Sequence, residues 1–239
     1  MQETVSPMKT IDLEEQPAEP EQRGGPEKRG RKASKEVRRL QLIEATIDSL
    51  AKRGYADTTM ADVADGAGLS RGIVNFHFES KEKLLVATLQ HMYDEYSAHW
   101  RAAYTKAGDD PAAQLLALVV ADFDRAVCNK RKLAAWCAFW GEAKSRPTYQ
   151  ALSGARDAAY QNLMQDLCGK LGQQAGYAYE PQALALSLSA LLEGLWLRLM
   201  MGVEDVSRET ALTSANEFLL TAFPKHFARA ASGIRRMAT

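Results

Sequence analysis

Residues 58–83 read TTMADVADGAGLSRGIVNFHFESKEK, and this stretch predicts helix, tight turn, helix, turn, helix. Thr58 or Thr59 is the residue type that accepts a backbone N–H at the start of a helix. The apolar residues Val63 and Ala64 lie three and four positions after Met60, as on one face of a short helix. We therefore expect a helix that begins close to residue 60.

A sharp turn and a second helix follow that first helix. Residues 66–68, Gly-Ala-Gly, are small, and the glycines can adopt positive φ. Ser70 can then cap a helix that contains Ile73 and Val74, and Ser80 can cap a third helix. Two helices joined by so short a turn are typical of helix-turn-helix units, whose second helix enters the major groove of DNA.

These residues resemble the DNA-binding segment of TetR-type one-component repressors. That pattern consists, in order, of an Ala-Gly turn, a capping serine, an aromatic run and a Ser-Lys-Glu-x-Leu motif that begins the next helix. Asn75 departs from it, because most members carry a tyrosine there that contacts phosphate; an asparagine can instead bind an adenine edge. The matching residues are Ala64, Ala67, Gly68, Leu69, Ser70, Gly72, Phe76, His77, Phe78, Ser80, Lys81, Glu82 and Leu84.

The resemblance implies a DNA-contacting surface on the second helix of the unit. We expect Arg71 and Asn75 to contact base edges. Ser70, Gly72 and Lys81 lie at helix N-termini, where backbone N–H groups and the helix dipole favour phosphate. The predicted DNA-binding residues are Thr59, Ser70, Arg71, Gly72, Asn75, Phe76, His77 and Lys81.

Composition sets limits on the other classes of site. The chain has 239 residues, with 30 Lys plus Arg and 30 Asp plus Glu, so its net charge does not indicate a nucleic-acid partner. Its three cysteines are irregularly spaced, which favours reduced thiols in the cytoplasm over disulfides or zinc. His91 and His99 are eight positions apart, whereas a helical metal pair needs four. We predict no metal, no cofactor and no signal peptide after Met1.

The chain divides into four predicted segments. Residues 1–33 are rich in Glu, Gln, Pro and Gly and are expected to be a disordered extension. The basic end of that segment is either a solvated tail or an arm that contacts DNA. Residues 34–80 are predicted to form the helix-turn-helix domain, residues 81–226 a helical-bundle domain for ligand binding and dimerisation, and residues 227–239 a flexible tail.

The second predicted domain contains one helix that is apolar almost all round, at residues 183–201. Glu193 and Arg198 argue against a membrane span, because each would cost about 2.5 to 3.5 kcal/mol at the bilayer centre. We instead expect this helix and the helix predicted at 207–224 to form a four-helix interface across a homodimer axis.

Two segments of the second domain resemble BetI-type repressors, which respond to choline and control glycine betaine synthesis. They are residues 136–140, WCAFW, and residues 192–198, LEGLWLR. Aromatic faces attract a quaternary ammonium by about 0.5 to 2 kcal/mol per ring, and a carboxylate can neutralise it. Aromatic residues at helical spacing also commonly form core. The predicted ligand-binding residues are Trp100, Asp122, Trp136, Trp140, Glu142, Tyr149, Glu193 and Trp196.

Together these features predict a cytoplasmic, dimeric TetR-type repressor that binds a palindromic operator and is released by a small molecule, with choline or a related quaternary ammonium favoured. A repressor of another pathway or of an efflux system, with a different apolar or cationic effector, is the first alternative. A helical dimeric adaptor without DNA activity is the second. The sequence lacks the nucleophile, phosphate-loop and zinc signatures of enzymes.

Overall fold

The computed structural model describes residues 26–143, 145–202, 206–230 and 233–237. Within these ranges the chain forms helices joined by short turns, followed by one small β-hairpin, and the predicted all-α class is confirmed. The helices are α1 (Pro26–Asp57), α2 (Met60–Ala67), α3 (Arg71–His77), α4 (Lys81–Lys106), α5 (Pro111–Asp122), α6 (Lys130–Ala143), α7 (Pro147–Ala175), α8 (Pro181–Met201) and α9 (Arg208–Ala222), and the strands are β1 (Phe227–Ala230) and β2 (Gly233–Arg236).

The helix-turn-helix unit forms at the caps that the sequence predicted. Thr59 accepts the N–H of Asp62 at 3.2 Å, and the Asp62 carboxylate accepts the N–H of Thr59 at 3.0 Å. Gly68 ends α2 with a φ of 62°, and Ser70 starts α3 by accepting the N–H of Ile73 at 3.4 Å. A left-handed φ strains residues with a Cβ, so glycine at 68 allows the tight turn.

The first helix begins earlier than the predicted start of the helix-turn-helix domain, and it is bent near its end. It starts at Pro26 rather than Ser34, and Gly54 interrupts it with a φ of 80°. Thr58 Oγ1 donates a hydrogen bond of 2.7 Å to the Gly54 carbonyl, which holds the bend against α2. Residues 1–25 lie outside the described residues, so the disordered extension stays a prediction there.

Helix α4 leads from the head, which we define as residues 38–80, into the body, which begins at Lys81. Ser80 caps it by accepting the N–H of Lys83 at 3.2 Å, and its 26 residues span about 39 Å. From Arg38 onward the chain forms one compact unit, and one hydrophobic core extends from Val74 in the head to Leu188 in the body. The predicted boundary near residue 80 therefore does not coincide with a gap in packing.

Helix α8 leaves much of its apolar surface uncovered by its own chain. Judged by length and apolar composition alone, α8 is the one helix among those described that could cross a membrane. Of its most apolar 18-residue stretch, 28% is buried. Leu186, Leu197 and Met201 are exposed large apolar residues on this helix. A second protein surface is one way to cover them.

Strands β1 and β2 occupy the segment that was predicted to be a flexible tail. They pair antiparallel, with Phe227 opposite Arg236. Phe227 is buried against Phe223, and Arg229 Nη2 donates to Glu217 of α9 at 2.7 Å. The prediction differed because these strands have only four residues each, too few for a period-two pattern to stand out.

Candidate DNA-binding surface and ligand cavity

Helix α3 presents a polar surface with one large apolar residue. Arg71, Gly72 and Asn75 are exposed, and Phe76 is 72% exposed, whereas Val74 is fully buried and anchors the helix to the core. The structure thus turns the predicted base-contacting side chains away from the packed side of the head. This arrangement leaves a helix face free to enter a groove.

The remaining predicted DNA-binding residues are engaged within the head. Thr59 Oγ1 takes part in the capping box and donates to the Asp62 carboxylate at 2.6 Å. Ser70 caps α3, and His77 is partly buried with its ring centroid 5.3 Å from that of Phe76. Thr59 and Ser70 therefore position helix N-termini, whose free N–H groups are the groups suited to phosphate.

Lys81 has an intramolecular role that the sequence did not predict. Its Nζ donates to the carbonyl oxygens of Tyr55 and Ala56, each at 3.1 Å, and lies 5.5 Å from the centre of the Tyr55 ring. A lysine ammonium has three donors, so two of them are used at the end of α1. The structure therefore makes Lys81 a residue that joins α1 to α4, and its predicted phosphate contact remains a prediction.

Two predicted ligand residues, Tyr149 and Glu142, are not among the residues that line the cavity, so the structure does not bring them together with the other six. Tyr149 is 1% exposed and its hydroxyl shares a hydrogen bond of 2.7 Å with that of Tyr55. Glu142 accepts from Arg146 Nε at 3.1 Å. Arg146 also donates to Glu82 at 3.0 Å and lies 5.0 Å from the Tyr55 ring centre. These side chains form a junction between head and body, because the last turn of α6 and the first turn of α7 both lie against Tyr55 of α1.

A cavity of about 360 Å³ lies among α4, α5, α6, α7 and α8. Six of the eight predicted ligand residues line it: Trp100, Asp122, Trp136, Trp140, Glu193 and Trp196. This volume is at the lower end of the range for small-molecule sites, about 300 to 1,000 Å³. The other lining residues are Tyr93, Tyr96, Ser97, Asp157, Ala158, Tyr160, Gln161, Leu186, Ser189, Ala190 and Leu192.

Asp122 forms the buried acidic floor of the cavity. Its two carboxylate oxygens accept hydrogen bonds from the hydroxyls of Tyr96 at 2.7 Å and Tyr160 at 3.0 Å. Burial raises the pKa of Asp122 to about 7, although the two hydroxyls oppose this shift. The indole N–H of Trp196 donates to the Asp122 carbonyl at 2.9 Å and so orients its ring. A cation next to this carboxyl would favour its ionised form.

Aromatic rings surround this floor. The Tyr96 ring centroid lies 5.9 Å from that of Tyr160, 5.7 Å from that of Trp196 and 6.4 Å from that of Trp136. The Tyr93 ring contacts that of Trp136 at 4.7 Å. Sequence reasoning missed Tyr93, Tyr96 and Tyr160 as lining residues. Tyr93, Tyr96 and Trp100 are spaced by three and four along α4, and that pattern could have placed all three beside one ligand.

Two further carboxylates, Asp157 and Glu193, lie at the open end of the cavity. Both are exposed, as is Trp140 at 39%, whereas Asp122 is 3% exposed. The helices around the cavity still remove part of the water from both carboxylates, which raises their pKa, and the charge of Asp157 raises the pKa of Glu193 further. The like charges of this pair therefore act on each other. Asp157 was not predicted, since no local sequence pattern distinguishes it from other exposed acids on α7.

Comparison with known proteins assigns the family. The pattern described as "Bacterial regulatory proteins, tetR family" matches residues 42–88, and that described as "BetI-type transcriptional repressor, C-terminal" matches residues 111–224. A curated relative from Burkholderia mallei, an HTH-type transcriptional regulator BetI, is 35% identical over 185 residues, covering 77% of this chain and 93% of the relative. The chain belongs to the TetR family of transcriptional regulators. It is a repressor of that family with a BetI-type C-terminal domain, and the family is not an enzyme class.

Solved structures of other transcriptional regulators share this fold. A transcriptional regulator from Pseudomonas aeruginosa PAO1 has a TM-score of 0.69 and 25% identity, covering 80% of this chain and 92% of that one. A regulator from Saccharomonospora viridis, solved in complex with choline, has a TM-score of 0.70 and 22% identity, covering 77% of this chain and 96% of that one. The second likeness supports the fold alone.

Proposed function

We propose that this repressor binds a palindromic operator as a homodimer and is released from it by choline or a related quaternary ammonium compound. The observation that carries the proposal is the cavity in which aromatic rings enclose the Asp122 carboxyl. A quaternary ammonium has no hydrogen to donate, so it is bound best by ring faces and by a nearby negative charge. The BetI name of the relatives and the choline found in the Saccharomonospora viridis regulator support this choice of effector.

Dimerisation is the second part of the proposal. The exposed apolar face of α8, with α9 beside it, fits the four-helix interface predicted from the sequence. A two-fold dimer would present two α3 helices to adjacent major grooves, about 34 Å apart on one face of the DNA. The operator is therefore expected to be palindromic, since a two-fold protein reads two equivalent half-sites.

Helix α6 offers a route from the cavity to the head. Trp136 and Trp140 of α6 line the cavity, while Arg131 at its start donates from Nη2 to the Glu44 carboxylate of α1 at 2.6 Å. At its other end Phe139 packs against Tyr55, with ring centroids 6.3 Å apart. A cation that shifts the two tryptophans would therefore move a helix that contacts α1 at two places.

The proposed release follows from that coupling. A displacement of α6, together with α4, would change the distance between the two recognition helices, and the dimer would no longer match adjacent grooves. To empty an operator that is mostly occupied, the effector must bind the released state several kcal/mol more tightly than the DNA-bound state. The regulated genes are proposed to be those of glycine betaine synthesis, and the protein is proposed to act in the cytoplasm.

The decisive experiment titrates choline into the repressor bound to a fluorescent operator duplex and follows anisotropy. Choline should release the DNA, whereas 3,3-dimethylbutan-1-ol, which has the same shape without the charge, should not. The uncharged alcohol is the matched control because it fills the same volume and has the same hydroxyl but lacks the positive charge that ring faces and carboxylates attract. Equal effects of the two compounds, or none from saturating choline, would remove choline as the effector and leave the TetR assignment standing.

A further inference from the structure

The cavity has two acidic regions with different surroundings. Asp122 is buried and its carboxylate is held by two tyrosine hydroxyls, whereas Asp157 and Glu193 are exposed at the opening. A single quaternary ammonium centre needs only one of these regions. The charges at the opening therefore act on whatever part of the ligand extends beyond the rings.

The size of the cage places the ligand's tail at this opening. The rings of Tyr96, Tyr160 and Trp196 surround the floor, where a trimethylammonium group fits best because it cannot donate hydrogen bonds. With the head there, the further atoms of a choline-sized ligand would extend towards Asp157 and Glu193. The neutral side chains of Gln161 and Ser189 also line the cavity and are joined by a hydrogen bond of 2.7 Å.

Basic groups are missing from the described lining. Of the described side chains that line the cavity, none belongs to lysine, arginine or histidine. In the part of the chain that the structure describes, Asp157 and Glu193 also have no ion-pair partner; Asp157 accepts only a long hydrogen bond of 3.4 Å from Tyr93. A carboxylate on the ligand would thus meet two like charges without compensation.

We infer that Asp157 and Glu193 determine specificity by electrostatic interaction with the ligand's tail. The site therefore binds quaternary ammonium compounds with neutral or positive tails and rejects those with negative tails. The inference rests on the proposed cation site and adds the class of ligand that this site accepts. At the separations of neighbouring groups in a partly solvated opening, each unit of tail charge should change affinity by about tenfold. An alcohol would bind, and the carboxylate made by its oxidation would not.

The test is calorimetric titration with three ligands that share one trimethylammonium head and differ in tail charge. They are (3-aminopropyl)trimethylammonium, choline and glycine betaine, with tail charges of about plus one, zero and minus one at neutral pH. The wild-type protein should bind them in that order, with glycine betaine at least tenfold weaker than choline. Equal affinities, or tighter binding of glycine betaine, would overturn the inference.

Two variants distinguish the contribution of the carboxylates at the opening from that of the carboxylate at the floor. The double variant Asp157→Asn, Glu193→Gln should reduce the ratio of the glycine betaine and choline dissociation constants to about threefold or less. Asp122→Asn should weaken all three ligands and keep that ratio, because it acts on the shared head. Thermal unfolding of each variant without ligand shows whether it is folded. If the double variant keeps the wild-type ratio of the two dissociation constants, Asp157 and Glu193 do not determine the charge preference.

Operator release distinguishes this inference from the proposed function. If the three ligands bind in the expected order but choline does not release DNA, the proposed function fails and the charge preference stands. If choline releases DNA and glycine betaine does so at the same concentration, the proposed function stands and the charge preference fails. If none of the three binds, both fail together.

Discussion

Tyr55 and Tyr149 share a hydrogen bond of 2.7 Å between their hydroxyl oxygens, although they are 94 positions apart in the chain. Tyr55 belongs to the end of α1 in the head, and Tyr149 belongs to the first turn of α7 in the body. The rings also meet edge to face, with centroids 6.2 Å apart. This pair is therefore one of the contacts through which we propose that movement of the body reaches the head.

Tyr149→Phe should lower the free energy of unfolding by about 1 kcal/mol, because it removes the shared hydrogen bond and keeps the ring packed on Phe139. It should also raise the choline concentration needed for DNA release while leaving choline affinity unchanged, since Tyr149 does not line the cavity. Urea denaturation and calorimetry measure these two effects. Tyr104→Phe is the control, because the Tyr104 hydroxyl has no hydrogen bond among the described residues. Identical release curves for the two variants would exclude a coupling role.

Arg71→Ala should cost about 1 to 3 kcal/mol in operator binding and relax sequence preference. Arg71 is exposed at the first position of α3, where recognition helices of this type contact base edges. Binding to operator and to random duplexes should be measured by anisotropy at several salt concentrations. Equal losses on both duplexes would show that Arg71 contacts phosphate instead.

Lys81→Ala should lower the free energy of unfolding by about 1 kcal/mol, because its ammonium bonds two carbonyls at the end of α1. From sequence alone, this substitution is expected to lower the salt dependence of DNA binding by about one counterion. The two roles differ in what is measured: a structural role changes denaturation without DNA, and a phosphate role changes the slope of affinity against salt. An altered slope with unchanged stability would restore the phosphate contact.

Trp140→Ala should weaken choline binding by about threefold to thirtyfold, the equivalent of one ring face at a partly exposed site. Trp140 lines the cavity, is 39% exposed and lies next to Trp136 with ring centroids 6.4 Å apart. Trp140→Phe keeps a ring face and should recover most of the affinity in calorimetric titration. If the two variants bind choline equally, loss of the ring face is not the cause of the weaker binding.

Choline affinity should fall as pH is lowered below about 7. The cation favours ionised Asp122, whose pKa burial raises to about 7, so binding at pH 6 should release protons. The same shift makes the folded protein hold a proton that the unfolded chain releases, so stability should decrease from about pH 4 to 7 and then level off. Calorimetry in buffers of different ionisation enthalpy measures proton release. Asp122→Asn should abolish this proton release. If the wild-type affinity for choline does not change from pH 5.5 to 8, Asp122 is not the carboxylate that binds the cation.

Short-range signals predicted the head well. The caps at Thr59, Ser70 and Ser80 and the turn at Gly68 depend on residues within a few positions of one another, so they could be read from spacing. The cavity was predicted in part, because its tryptophans stand out in composition. Glu142 and Tyr149 lie outside the cavity lining, because the last turn of α6 and the first turn of α7 pack towards Tyr55 of α1 instead.

The sequence by itself determined the class of the protein, because helix caps and a family pattern act over short stretches of chain. Only the tertiary structure decided which carboxylates share a cavity and which side chains join the head to the body. Asp122, Asp157 and Glu193 come from three different helices, α5, α7 and α8. Their burial and mutual repulsion arise from the packing of those helices, and no spacing along the chain contains that information.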